Sequence, residues 1–248
     1  VASRRAAIAE LLQRRPVSVD ELSERFDVTA STIRRDLAIL DGHGTIVRTY
    51  GGALAAPSEE PLHEREAKAA AEKAAIARAA ERQVAPGQFL LLDAGTTVGA
   101  LAERLASHEA LTVASCGLTT LNVLADCEGI DLICLGGSVR HVSHGMVGPL
   151  AEDGLGKLSA DVAFLGCDGV TAERGICETT PAQASLKRRM VEAATGVFVL
   201  ADSSKVGTAS SHWWTTPRHG WTLITDAGAT ESQLLPFRQA GIEVIVAR

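Results

Sequence analysis

Residues 18–53 read SVDELSERFDVTASTIRRDLAILDGHGTIVRTYGGA. The middle of this stretch, residues 29–40, is short and two-faced. At about 3.6 residues per helical turn, Ile33, Leu37 and Leu40 share one side and Ala30 lies close to them. Ser31, Arg34, Arg35 and Ala38 share the other. Thr29 supplies an N-cap hydroxyl for the first turn. The outward face is thus small residues, hydroxyls and two guanidinium groups near a helix N-terminus. Such a face suits a DNA major groove: arginine reads guanine or holds phosphate, and small residues let the backbone approach. An ordinary solvated face could have the same composition, so the flanks decide.

Ser18-Val19-Asp20-Glu21 has the spacing of a capping box and starts a helix striped by Val19, Leu22 and Phe26. Asp27-Val28 breaks it from the next. Upstream, Ile8, Leu11 and Leu12 stripe a first helix that ends near Arg15-Pro16. Downstream, Gly42 and Gly44 stop the two-faced helix, residues 46–50 read as a strand, and Gly51-Gly52 closes it. Three helices and a β-hairpin make a winged helix-turn-helix, whose second paired helix enters the major groove.

The run Ser31-Thr32-Ile33-Arg34-Arg35-Asp36-Leu37, the Gly-Gly-Ala after the wing, and Arg4 and Ile8 upstream resemble the signature of the DeoR family of bacterial transcriptional regulators. Tyr50 stands where the family usually has His. The resemblance implies that the recognition helix and wing bind double-stranded operator DNA. It assigns that role to Ser31, Thr32, Arg34, Arg35, Arg48 and Tyr50. Asp36 is expected to hold an arginine by a charge-assisted bond.

The chain has 248 residues, of which 46% are hydrophobic and 22% charged, as in a globular protein. No run reaches the roughly 20 apolar residues of a membrane span. Residues 1–15 lack the apolar core of a signal peptide, so a cytoplasmic protein is expected. The net charge of −6 is uneven: residues 1–56 carry eight Arg and Lys against seven Asp and Glu, and the excess of acid lies beyond. A phosphate contribution so modest per subunit calls for at least a dimer. Five cysteines without C-x-x-C spacing argue against a zinc or disulfide framework. His141 and His144 form the only close histidine pair and read as loop residues. Neither metal nor cofactor is expected.

The expected domains are a winged helix-turn-helix over 1–56, a linker over 57–62, and an α/β domain over 63–248. Residues 63–83 are Ala-rich, charged and free of breakers, which predicts one helix before Pro86-Gly87. From Gln88 the pattern alternates. Strands are expected at 89–92, 111–115, 130–135, 161–165, 197–201, 222–225 and 244–246, with helices at 98–106, 118–125 and 183–194. This predicts a mainly parallel sheet with helices on both faces.

Ligands of such sheets bind beyond the carboxyl ends of the strands. There stand Asp93-Ala94-Gly95-Thr96-Thr97, Ser115-Cys116-Gly117, Gly136-Gly137, Gly166-Cys167-Asp168-Gly169 and Asp202-Ser203-Ser204-Lys205. Each could be turn chemistry alone. Together they suit a small polyhydroxylated anion, with N–H groups and hydroxyls for phosphate, lysine for charge and aspartate for sugar hydroxyls. The family resemblance adds that the domain is similar to ribose-5-phosphate isomerase and binds a sugar phosphate. It assigns Asp93, Gly95, Thr96 and Thr97 to the phosphate loop, with Ser115, Gly136, Gly137, Asp168, Gly169 and Lys205 lining the rest. Arg65 and Lys73 recur in the family, and Lys73 is a candidate phosphate partner.

The related isomerases use a glutamate base in the region after Thr179-Thr180-Pro181. Here Gln183-Ala184 precede Lys187, and a lysine attracts an anion rather than removing a proton. The expectation is a ligand-controlled repressor, homo-oligomeric as a dimer or tetramer and without catalysis. A sugar-phosphate isomerase is the enzymatic alternative. Residues 210–214, SSHWW, read equally as a lid or as a surface hairpin with one Trp buried.

Overall fold

The computed structural model describes residues 2–15, 17–42, 46–49, 51–55, 60–217 and 220–248. The chain divides into two compact units, residues 1–58 and 59–248.

The first unit contains helices α1 (Ala2–Arg14), α2 (Val19–Phe26) and α3 (Ala30–Gly42). Its strands are β1 (Val17–Ser18), β2 (Ile46–Thr49) and β3 (Gly52–Ala55), in the order β1-β3-β2. Ile8, Leu12, Val19, Leu22, Ile33, Leu37, Leu40 and Ile46 form its core, so the apolar stripes read in the sequence all converge. Ser18 Oγ accepts the Glu21 N–H at 3.1 Å and caps α2. The capping box is only half formed, because the Glu21 carboxylate binds Arg15 instead. The Thr32 N–H donates to Thr29 Oγ1 at 3.3 Å, the cap expected for α3. Gly51 closes the wing with φ +92°, a conformation that favours glycine.

The second unit opens with two helices, α4 (Leu62–Ala67) and α5 (Ala70–Glu81), where one was expected. Ala69 takes φ +52° at the break. Leu62, placed at the end of the linker in the sequence, is buried as the first residue of α4, while residues 56–59 lie outside the described residues. Strands β4 (Phe89–Leu92), β5 (Leu111–Ser115) and β6 (Ile130–Cys134) follow, separated by α6 (Thr96–Leu105) and α7 (Leu118–Leu124). A hairpin of β7 (Ser138–Arg140) and β8 (Gly145–Val147) leads to α8 (Pro149–Leu155) and β9 (Ala160–Leu165). Then come β10 (Gly169–Thr171), β11 (Gly175–Glu178), α9 (Pro181–Ala193), β12 (Ala194–Leu200), β13 (Trp213–Thr215), β14 (Trp221–Asp226), α10 (Glu231–Gln239) and β15 (Glu243–Ala247).

Seven strands form one wholly parallel sheet in the order β15-β14-β12-β9-β4-β5-β6. They are the seven expected from the apolar runs. Both faces are covered: Leu91, Ala163 and Val199 enter one core, and Leu90, Leu92 and Phe164 the other. That two-sided burial is why these strands read as continuous apolar runs. Chain order reverses between β4 and β9, which places the topological switch point there.

Apart from the hairpin that was one of the two readings of 210–214, the remaining strands of this unit were not expected. They form the β7–β8 pair and the antiparallel sheet β10-β11-β13. Residues 213–215 extend the latter: Trp213 is exposed, Trp214 is half-buried, and the Arg174 guanidinium lies 4.1 Å from the Trp214 ring centroid. Among the described residues no helix is long and apolar enough to cross a membrane.

Candidate functional site

On α3 the exposed positions are Ser31, Arg34, Arg35 and Ala38, with Thr32 half-buried and its hydroxyl 3.0 Å from that of Thr29. Asp36 is buried on the opposite side. The Arg4 guanidinium donates to it at 2.7 Å and Arg5 stands 3.6 Å away. These bonds tie α3 to α1 and leave Arg34 and Arg35 outward. Arg48 lies on β2, and Tyr50 lies outside the described residues.

In the second unit a cavity opens at the carboxyl ends of β4 and β9, beside the switch point. Of the residues singled out in the sequence, Asp93, Gly95, Thr96, Thr97, Asp168, Lys187 and Lys205 line it. Gly95, at φ +127°, caps α6 without a side-chain bond and turns the chain so that the helix begins at the cavity wall. Asp93 is buried; its Oδ2 accepts the Gly166 N–H at 3.0 Å, joining the loops after β4 and β9. The Asp168 carboxylate accepts the N–H and hydroxyl of Thr179 at 2.9 and 2.6 Å. Lys205 Nζ donates to the Cys167 carbonyl at 2.9 Å.

Lys187, expected to attract an anionic ligand, stands in the cavity wall with its charge paired to side chains of the protein itself. Its ammonium is buried and contacts Asp93 at 2.6 Å, Glu178 at 2.7 Å and the Gly166 carbonyl at 2.6 Å. Burial opposes its charge, but the two carboxylates outweigh that cost and raise its pKa above the usual lysine value. Two acids share this one ammonium. Burial is the main cause that pushes Glu178 up to about 8, and its Oε2 accepts the Gln183 amide at 3.0 Å.

Five other expected residues lie outside the cavity wall, each for a local reason. Ser115 Oγ accepts the Gly117 N–H and shapes a turn. Gly136 and Gly137, at φ +77° and +115°, turn the chain from β6 into β7. A Cβ at Gly169 would sit 2.6 Å from the Thr208 carbonyl, so this glycine answers to packing. Lys73 is buried with its Nζ on the carbonyls of Arg65 and Lys68, and burial lowers its pKa. It holds the corner between α4 and α5. The 210–214 tract contributes nothing to the cavity wall; Ser210 Oγ donates to the Asp168 carbonyl at 3.0 Å.

The cavity also takes residues the sequence reading passed over as ligands: Arg65, Arg140, Ser143, Glu178 and Gln183. Arg140 precedes the histidine pair and Ser143 lies within it, in a segment bracketed by glycines, and no periodicity marks them. The thiols of Cys116 and Cys167 complete the wall; burial pushes both up, Cys167 to about 12.

A winged helix with an outward arginine pair, joined to an α/β domain that encloses a polar, cation-lined cavity, defines a DNA-binding protein with a ligand-receiving domain. The chain belongs to the DeoR family of transcriptional regulators: residues 4–59 match the DeoR-like helix-turn-helix domain and residues 68–227 the DeoR C terminal sensor domain. It is similar to a protein named as transcriptional repressor of the aga operon in Escherichia coli O157:H7, at 36% identity over 98% of this chain and 92% of that one. The transcriptional repressor AccR of Agrobacterium fabrum is 34% identical over 91% and 89%. The glycerol-3-phosphate regulon repressor of Escherichia coli K12 is 34% identical over 82% of each chain. Among solved structures, ribose 5-phosphate isomerase A of Methanocaldococcus jannaschii superposes with a TM-score of 0.42 at 17% identity, over 56% of this chain and 55% of that one. The protein is a DNA-binding transcriptional regulator with a sensor domain, not an enzyme.

Proposed function

We propose that the chain represses a carbohydrate-metabolism operon from the cytoplasm and leaves its operator when a sugar phosphate fills the sensor cavity. The observation that carries this is the cavity wall. Gly95, Thr96 and Thr97 stand at a helix N-terminus with Arg65, Arg140 and Lys205 as cations, and Asp93 and Asp168 as acceptors. A phosphate fits the helix end and the cations, and the carboxylates suit sugar hydroxyls. On this reading residues 1–56 bind DNA, 57–62 link, and 63–248 sense. Ser31, Thr32, Arg34, Arg35, Arg48 and Tyr50 meet the operator. With so small a positive charge on each DNA-binding unit, a dimer or tetramer supplies the phosphate contacts that tight binding requires.

The test is fluorescence anisotropy with DNA from the chain's own upstream region and from genomic fragments, at stated salt. Arg34→Ala should weaken selective binding at least about tenfold, the cost of a lost bidentate contact, while ligand binding to the sensor is unchanged. Operator affinity equal to the parent's would remove Arg34 from the interface.

A further inference from the structure

The cavity encloses only about 50 Å³, room for a few water molecules and well below the ~300 Å³ at which small-molecule pockets begin. A sugar phosphate therefore enters only if part of the wall moves. Most of the wall cannot move cheaply. The loops after β4 and β9 hang from adjacent strands of the parallel sheet and are bonded through Asp93 and Gly166. The start of α9 is fixed by a full capping box between Thr180 and Gln183 and by the buried Lys187 contacts.

Outside the seven-stranded sheet, α6 starts from the loop after β4, and β11 and α9 are tied to that loop through the Glu178–Lys187–Asp93 ion pairs; two wall elements remain. One is α4, which contributes Arg65. The other is the β7–β8 hairpin, which contributes Arg140, Ser143, Met146 and Val147. They are joined to each other, since the Leu62 N–H donates to the Val142 carbonyl at 2.9 Å. The hairpin lies tight on the ligand loop: a Cβ at Gly145 would sit 2.9 Å from Ala94 Cβ, and the Met146 N–H donates to the Cys116 carbonyl at 2.7 Å. Arg140 Nη1 donates to Ser143 Oγ at 2.7 Å across the hairpin turn. Helix α4 is also the first element of the sensor unit, reached directly from the DNA-binding unit along the chain.

We propose that α4 and the β7–β8 hairpin form one movable wall, displaced to admit an anionic ligand and then held on it by Arg65 and Arg140, so that occupancy resets the segment through which the chain enters the sensor domain. This rests on the sensing function proposed above and adds the residues that read the anion and the contact that transmits it. The ligand shifts DNA affinity only by what it gains differently in the two wall positions. Two arginines on the moving parts supply that difference.

The test uses the full chain with inorganic phosphate, glycerol 3-phosphate, ribose 5-phosphate and glucose 6-phosphate, taking forward whichever binds. Amide hydrogen exchange should change at least about fivefold in peptides covering 60–68 and 138–147 and stay level in β4, β9 and β12. Arg65→Gln and Arg140→Gln should each weaken binding at least about tenfold. Arg104→Gln, which alters only a surface pair with Glu81, should not. Leu62→Pro removes the donated N–H at a first-turn position that accepts proline. It should cut the factor by which ligand weakens operator binding to less than about a third of the parent's. A ligand that binds without changing exchange in either peptide overturns the movable wall and leaves the sensing function standing, whether or not the arginine variants fold. Arginine variants that bind like the parent overturn the assignment of Arg65 and Arg140. A parent chain that binds none of the four overturns the wall and the sensing function together.

Discussion

Burial holds the proton on Glu178 well above the usual carboxylate range even beside Lys187, and the consequence is a dependence of stability on pH. The folded chain keeps a proton on Glu178 up to about pH 8, whereas the unfolded chain loses it near the ordinary value of 4.5. Between those values the native state binds more protons than the unfolded one, so stability falls as pH rises and levels off above about 8. Glu178→Gln cannot ionise and keeps the side-chain shape. Its melting temperature should fall less than the parent's between pH 5 and 8, by about 2–4 °C for each kcal/mol relieved. Parallel curves for the two proteins would show that Glu178 is ionised throughout. This glutamate escaped the sequence reading because it ends a strand of four residues, and the residue it pairs with, Trp213, lies far along the chain. Lys187 was singled out in the sequence and lies in the cavity wall, but its partners come from two separate loops and the end of β11, so its ion pairs were not legible.

At the scale of elements, legibility followed the range of the forces. The central parallel strands β4, β5, β9 and β14 announced themselves because they are buried on both faces, while the edge strands β6 and β15 are partly exposed and were read from their apolar runs alone. The strands β7, β8, β10, β11 and β13 hold only three or four residues each and carry glycine and polar side chains, so no local pattern separates them from turns. The helix expected over 63–83 had every local preference in its favour. It breaks because the buried Lys73 ammonium takes up the carbonyls of Arg65 and Lys68, and such bonding is not written in propensity. The break leaves Ala69 at φ +52°, in a region where a β-carbon costs about 1–2 kcal/mol. Ala69→Gly should therefore stabilise the sensor unit by about 0.5–1 kcal/mol, after the entropy glycine loses on folding. The urea midpoint measures this, and a lower midpoint would mean that the Ala69 methyl makes contacts that outweigh its backbone conformation.

For the whole molecule, two units with separate cores predict two transitions in scanning calorimetry. Ligand at about 100 times its Kd adds roughly 2.7 kcal/mol to the state that binds it. In a domain of this size that moves the sensor transition up by about 5–10 °C, and the helix-turn-helix transition should stay in place. A matching shift in both would mean that the units unfold as one. The cysteines bear on how such experiments can be followed. Cys116, Cys167 and Cys177 are buried, Cys127 is half-buried, and Cys134 is exposed at the end of β6. The two thiols in the cavity wall stay protonated at neutral pH, so an alkylating dye added there finds its easiest address at Cys134. The native sequence thus carries an attachment point for an optical reporter that is not part of the cavity wall, and wall motion can be watched without first stripping the chain of its other cysteines.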